Sequence, residues 1–169
     1  MNDFNILAKS VAGNPIDILI NNAGVYYEDH SRDGLNKAPL NNIINAYKIN
    51  TVGAMATMQY FEDNLLKSTY PRIINMSSSM GSIDAGKGFG YSYRMSKAAL
   101  NMLTKCYADE NPNIITIALR PGWVKTKMGG ENAILNVDES VDKMEAIISK
   151  LTAQDSGKFL DNEKNICLW

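Results

Sequence analysis

Tyr93 and Lys97 stand four residues apart, a spacing that on a helix puts both side chains on one face with their Cβ atoms about 5–6 Å apart. A phenol beside an ammonium is a pairing that acid–base chemistry can use. In a chain with 8 tyrosines such a pair can arise by chance, so its weight comes from its company. Three polar clusters supply that company: Asn21-Asn22-Ala23-Gly24, Ser77-Ser78-Ser79-Met80-Gly81 and Arg120-Pro121-Gly122.

Each cluster ends a short apolar run. Ile16-Asp17-Ile18-Leu19-Ile20 reads as a buried strand, and Arg72 to Met76 and Ile114 to Leu119 read the same way. Helical patterns lie between them. From about Asn41 to Leu66, the residues Ile43, Tyr47, Asn50, Ala54, Met58, Phe61 and Leu65 form the stripe of one buried face, interrupted by polar Asn50. From about Tyr91 to Tyr107, Met95, Ala99, Met102, Leu103 and Cys106 share a side that the pattern predicts to be core. A third helix is predicted to start at Asp138 as its cap and to run through Val141, Met144, Ile147, Ile148 and Leu151. Gly157 to Leu160 is predicted to be a last short strand. Strands alternating with helices of this length imply right-handed crossovers and a parallel sheet with helices on both faces. In such sheets ligands bind at the carboxyl ends of the strands, where the three clusters fall.

Composition narrows the classes. With 169 residues, 45% of them hydrophobic and 21% charged, one domain with a buried core is expected. Seventeen basic and 18 acidic side chains give a net charge of −1, which excludes a basic footprint for nucleic acid or an anionic membrane. Met1 to Ser10 has no basic start, and no stretch approaches the roughly 18 apolar residues of a membrane span, so a soluble, cytoplasmic protein is expected. Cys106, Cys167 and the single His30 have neither the number nor the spacing of a disulfide framework or a metal site. His30, between Asp29 and Ser31, reads as a loop residue, while Cys106 and most methionines read as packing.

Taken together, these residues resemble the short-chain dehydrogenase/reductase family. Its marks are Asn-Asn-Ala-Gly, a helix Asn, Ser-x-x-Gly, Tyr-x-x-x-Lys and a late Pro-Gly turn, and all five occur here in order. The runs Tyr93-Arg94-Met95-Ser96-Lys97-Ala98-Ala99-Leu100-Asn101 and Arg120-Pro121-Gly122-Trp123-Val124-Lys125-Thr126, with Trp169, resemble its C-factor, sniffer and carbonyl-reductase branch. The resemblance implies a Rossmann-like, doubly wound α/β fold and NAD(P)-dependent reduction of a small aldehyde or ketone, with NADPH favoured.

Carried over, the family's catalytic roles fall on Tyr93, Lys97, Ser78 and Asn50. Tyr93 would be the general acid/base. Lys97 would favour its phenolate and hold the nicotinamide ribose. Ser78, with Ser79 as the alternative, would bond the substrate oxygen, and Asn50 would anchor a water linking Lys97 to solvent. Asn21, Ala23 and Gly24 would lie along the adenosine and ribose of the cofactor, and Pro121, Gly122, Val124 and Thr126 would meet the nicotinamide carboxamide. No metal is implied, and family members commonly form homodimers or homotetramers through the two long helices.

The family's Gly-rich turn between the first strand and helix is not found in this sequence. Its lookalike, Gly86-Lys87-Gly88-Phe89-Gly90, lies between the Ser cluster and Tyr93 and reads as a substrate loop. Residues 1–169 are therefore expected to form the C-terminal part of the family's domain, N-terminally incomplete, with the edge of the Ile16–Ile20 strand unpaired and exposed. The competing expectation is a truncated, non-catalytic family member acting as an interaction or regulatory protein.

Overall fold

The computed structural model describes residues 13–28 and 34–169, together with Ile6, Lys9 and Val11. His30 and most of Met1 to Ser10 lie outside the described residues. Four parallel strands, β1 (Ile18–Asn21), β2 (Arg72–Met76), β3 (Ile115–Leu119) and β4 (Phe159–Leu160), stand side by side in chain order. Asn21 pairs with Asn75, Met76 with Leu119, and Leu119 with Leu160. That register brings the three polar clusters out along one rim of the sheet.

Between the strands run α1 (Leu40–Tyr47), which continues through a π turn at Lys48–Val52 into α2 (Gly53–Leu65), then α3 (Tyr91–Glu110) and α4 (Val137–Ile148). Side chains along β2 alternate between two layers. Ile73 packs with Met58, Leu65 and Ile114 on the α2–α3 side, while Ile74 and Met76 pack with Ile117, Leu119, Ile147 and Leu151 on the α4 side. Each fully buried Ile or Leu here contributes on the order of 1.5–3 kcal/mol. The doubly wound α/β architecture expected from the sequence is thus present. The crossovers differ from expectation in one respect: the strands advance in one direction, but α4 lies on the opposite face from α2 and α3, so the β3–α4–β4 connection has the opposite hand to the two before it. A long irregular stretch between Leu119 and Val137, leading to a strand of only two residues, relaxes the packing constraint that normally fixes that hand.

Four further expectations are corrected. In the first long helix Tyr47 is exposed and Ala46 buried, because the π turn inserts a residue and shifts the buried stripe by one position upstream of Asn50. On α3, Met95 and Met102 are 52% and 63% exposed and Cys106 faces solvent. The face turned inward carries Ser92, Tyr93, Ser96, Lys97, Leu100, Asn101 and Thr104 instead. The cap of α4 is Asn136, not Asp138: the Glu139 carboxylate accepts from the Asn136 N–H at 2.9 Å. Val141 is exposed, and Leu151, though buried, lies beyond the helix end.

The fourth correction concerns β1, which is not buried on both faces. Leu19 packs against the α2–α3 layer, but Ile18 and Ile20 are 41% and 49% exposed, because α4 covers the opposite face only over β2 to β4. Among the described residues β1 pairs with β2 alone, so it is the exposed apolar edge that the sequence predicts. No helix among the described residues is long and apolar enough to cross a membrane, and no group of three or more His, Cys, Asp or Glu among them could hold a metal ion.

Candidate active site

The Ser cluster leaves β2 in a turn that presses directly on α3. The Ser78 hydroxyl accepts from the Met80 N–H at 3.2 Å and caps the 3-10 turn Ser79–Gly81. A Cβ at Gly81 would lie 2.8 Å from the Lys97 Cβ and 3.0 Å from its carbonyl carbon, so only glycine allows this approach. Two further bonds lock it: the Ser77 hydroxyl donates to Asn101 Oδ1 at 2.6 Å, and Asn101 Nδ2 donates to the Gly81 carbonyl at 3.1 Å. The Ser-x-x-Gly spacing is therefore a packing requirement that delivers the Ser78 hydroxyl to the neighbourhood of the Tyr93 phenol, whose pKa it lowers. Ser79 is exposed on the outer side of the turn. Of the two serines, Ser78 is the one brought to the phenol.

Lys97 is 3% exposed, and its ammonium donates to the Met76 carbonyl at 2.6 Å. Nζ lies 5.6 Å from the centroid of the Tyr93 ring. Burial lowers the lysine to about 8, which leaves it mostly protonated at neutral pH. Burial is also the main influence on Tyr93 and raises its pKa, opposed by the bond from Ser78 and reinforced by the neighbouring phenol of Tyr26. At neutral pH the site thus holds a protonated phenol beside a cation, the state that can give a proton.

Asn50 sits in the π turn and is used as a clasp. Its Oδ1 accepts from the Val25 N–H at 2.7 Å, and its Nδ2 donates to the Val25 carbonyl and to the Ser96 hydroxyl, each at 2.9 Å. Ser96 passes the bond on to the Tyr93 carbonyl at 2.8 Å. Both amide protons are spent, so what remains for a water is the second lone pair of Oδ1. Asn21 is similarly occupied: Nδ2 donates to Asn75 Oδ1 at 2.7 Å, Oδ1 accepts from Thr57, and Asn75 donates on to Thr104 at 2.9 Å. Its side chain ties β1 to β2 and α2, which leaves Ala23, exposed, and Gly24 as the groups of that turn open to a ligand.

Pro121, Gly122, Val124 and Thr126 leave the same rim of the sheet after β3. The Pro121 carbonyl accepts from Ser140 at 2.7 Å, Val124 pairs with Leu135, and the Thr126 hydroxyl accepts from the Gly129 N–H at 3.0 Å. Beside them is an open cavity of about 560 Å³ lined by Lys125, Thr126, Lys127, Gly130 and Glu131.

Sequence reasoning missed Tyr26, Val25 and Ser96. The Tyr26 ring meets Tyr93 edge-on at 5.1 Å between centroids, and nothing in the local pattern marks it. Ser96 could have been found as a polar residue on the same helix face as Tyr93 and Lys97.

This geometry coincides with a match of residues 5–135 to the short chain dehydrogenase family. The chain belongs to that family. Its members are NAD(P)-dependent oxidoreductases. C-signal of Myxococcus xanthus is 35% identical over 165 residues, covering 96% of this chain and 98% of its own length. The short-chain dehydrogenase srdF of Neurospora crassa is 32% identical, and the match covers 85% of this chain but 61% of srdF. Of solved structures, the NADPH-bound carbonyl reductase from chicken fatty liver superposes with a TM-score of 0.88 at 35% identity, over 99% of this chain and 71% of that one. Carbonyl reductase Sniffer of Drosophila melanogaster superposes at 0.89 with 28% identity, over 99% and 72%.

Proposed function

We propose that this short-chain dehydrogenase reduces a small aldehyde or ketone, or oxidises the corresponding alcohol, with Tyr93, Ser78, Lys97 and Asn50 as its working residues. The observation that carries the reading is the buried Lys97 ammonium 5.6 Å from the centre of the Tyr93 ring, at the rim of the sheet where the Ser78 turn presses on α3. Tyr93 gives its proton to the carbonyl oxygen while Ser78 donates a hydrogen bond to that oxygen. The charge of Lys97 favours the phenolate left behind. Asn50 keeps the loop after β1 and the start of α3 in register through Val25 and Ser96.

The residues present fit a nicotinamide cofactor on its ribose side. A Cβ at Gly24 would lie 3.5 Å from Lys97 Nζ and 3.4 Å from Asn50 Oδ1, so the absence of a side chain keeps space open beside the ammonium. Lys97 has three donors, and the bond described goes to Met76, which leaves donors for ribose hydroxyls. Ala23 and Gly24 would lie along the adenosine and ribose, and Pro121, Gly122, Val124 and Thr126 along the carboxamide. The cofactor when bound supplies the hydride. NADPH is the favoured form, since the chicken reductase is an NADPH complex.

The test is to titrate NADPH and NADH while following thermal stability, then to follow cofactor absorbance with a panel of small aldehydes and ketones. Saturable binding with carbonyl-dependent oxidation supports the reading. A well-folded chain that binds neither cofactor overturns it, and favours the second reading, an interaction protein. The apolar residues that α1, α2 and α3 turn to solvent, among them Ile44, Met55 and Met102, are the observation behind that second reading.

A further inference from the structure

The loop between Ser78 and Tyr93 is held from two sides, and one of them lies far away in sequence. On the near side, Arg94 pins it: Nε donates to the Phe89 carbonyl at 2.9 Å, Nη1 reaches the Ala85 and Met80 carbonyls at 3.3 and 3.4 Å, and the guanidinium lies 4.8 Å over the Phe89 ring. On the far side is the segment 161–169. It turns back after β4 through Asp161, whose carboxylate accepts from the backbone of Glu163 and Asn165 and pairs with Arg120 at 3.2 Å. It then runs antiparallel to β4, with Ile166 opposite Leu160 and the Cys167 N–H on the Phe159 carbonyl at 2.8 Å. Trp169 completes it. Its ring stacks on Phe159 at 5.7 Å, and its carbonyl accepts from the Asp84 N–H at 3.0 Å.

We propose that Trp169 is a positioning residue for the substrate pocket: by stacking on Phe159 and bonding Asp84 it holds the 82–90 loop in place against Ser78 and Tyr93, and so limits the size of the carbonyl compound the site admits. The loop needs such a hold. It carries three glycines, Gly86, Gly88 and Gly90, and Ile83 to Gly88 are exposed, so little of its own packing fixes its shape. A cavity of about 280 Å³ separates it from the returning segment, lined by Ser79, Ser82, Asp84, Phe159, Ile166 and Leu168 among others. Trp169 bridges loop and segment beside that space. The size limit rests on the carbonyl-reductase reading above; the hold on the loop does not.

Two readouts separate them. Lys87 is exposed within the loop, so trypsin cleavage after it reports how often the loop opens. In Trp169→Ala, cleavage after Lys87 is expected to rise about tenfold, the factor that a lost aromatic stack is worth, while cleavage after Lys125 is unchanged. Trp169→Phe should restore protection by restoring the stack. Equal cleavage after Lys87 in wild type and Trp169→Ala overturns the proposal. In turnover assays Trp169→Ala should raise KM for small aldehydes with kcat nearly constant, and shift kcat/KM toward bulkier ketones. Unchanged relative kcat/KM across the panel, with the loop loosened, overturns the size limit. A wild type inert toward every carbonyl, with Lys87 still protected by Trp169, refutes the reductase reading and leaves the hold on the loop standing.

Discussion

The inner face of α3 carries Ser92, Tyr93, Ser96, Lys97, Asn101 and Thr104, all buried, while its outer face carries Met95 and Met102, both more than half exposed. An ordinary amphipathic helix is arranged the other way. A buried polar group left without a partner costs about 1–3 kcal/mol, so such an inner face persists only where its groups are satisfied. Here they are: Ser96 by Asn50 and Tyr93, Lys97 by Met76, Asn101 by Ser77 and Gly81, and Thr104 by Asn75 and Leu100. The Ser92 hydroxyl is the exception. The buried side of α3 is thus given to polar groups that bond one another and the turns around them, and its methionines are left to solvent.

The largest effect expected on the inner face is that of Tyr93→Phe. Removing one oxygen takes away the proton donor and leaves the packing, so kcat should fall by about 10²–10⁴-fold, while NADPH affinity and melting temperature stay nearly unchanged. A variant that kept more than a few per cent of the rate would place the proton donor elsewhere. Next in size is the contrast between the two serines. Ser78→Ala should cost roughly tenfold to a hundredfold in kcat/KM, the worth of a hydrogen bond to a developing charge. Ser79→Ala should cost almost nothing. Equal losses from both would mean that the turn, and not the Ser78 hydroxyl, is what matters.

Much of this is legible in the sequence, and each failure has a physical reason. Strands β2 and β3 were found almost to the residue, because a continuous apolar run ending in a polar cluster is the pattern of a strand covered on both sides. The Tyr93, Lys97 and Ser78 cluster was found because types and spacing agreed with where the strands end. Apolar periodicity points to the wrong faces of the long helices, because it marks the core only where the buried stripe is itself apolar. On α3 the buried stripe is polar, and in the first long helix the π turn moves Tyr47 outward and Ala46 inward. No single-residue pattern could show the edge-on contact of Tyr26 with Tyr93, since the two come from different elements.

A third, smaller effect sets stability against function at Lys97. Burial lowers its pKa from 10.5 to about 8, so between those values the unfolded chain binds more protons than the folded one and this site's contribution to stability rises with pH. Below about pH 8 both states are protonated and the cost of the buried charge stands in full. Lys97→Met removes that cost and should be more stable than wild type at pH 7, with the gap closing by about 2 kcal/mol as pH rises to 9.5. Stopping at 9.5 keeps Tyr93 out of the titration, because its raised pKa would make stability fall above pH 10 in both proteins. Thermal melts across that range decide it: a gap that widened with pH would mean that the ammonium is stabilised where it lies. Activity of Lys97→Met should be lost at every pH.

The smallest effect on the chemistry, and the sharpest test of the outer face, is that of Met102→Glu. Met95 and Met102 on α3 share the solvent side of the molecule with an apolar series along α1, the π turn and α2 that includes Ile44, Tyr47, Val52 and Met55, all exposed. Residues of this kind scattered singly need no explanation, whereas a contiguous series is the kind of surface that a partner covers. If a second copy of the chain covers it, light scattering at micromolar concentration should show a dimer or larger for wild type and a monomer for Met102→Glu, because a carboxylate in an apolar interface is desolvated without a partner. As an exposed position, Met102 should change the stability of the single chain by no more than about 0.5 kcal/mol, and Tyr93, on the opposite side of α3, should keep its rate. A monomeric wild type would mean that the outer face serves some other partner, and a Met102→Glu variant that lost turnover along with association would show that the two faces of α3 are coupled.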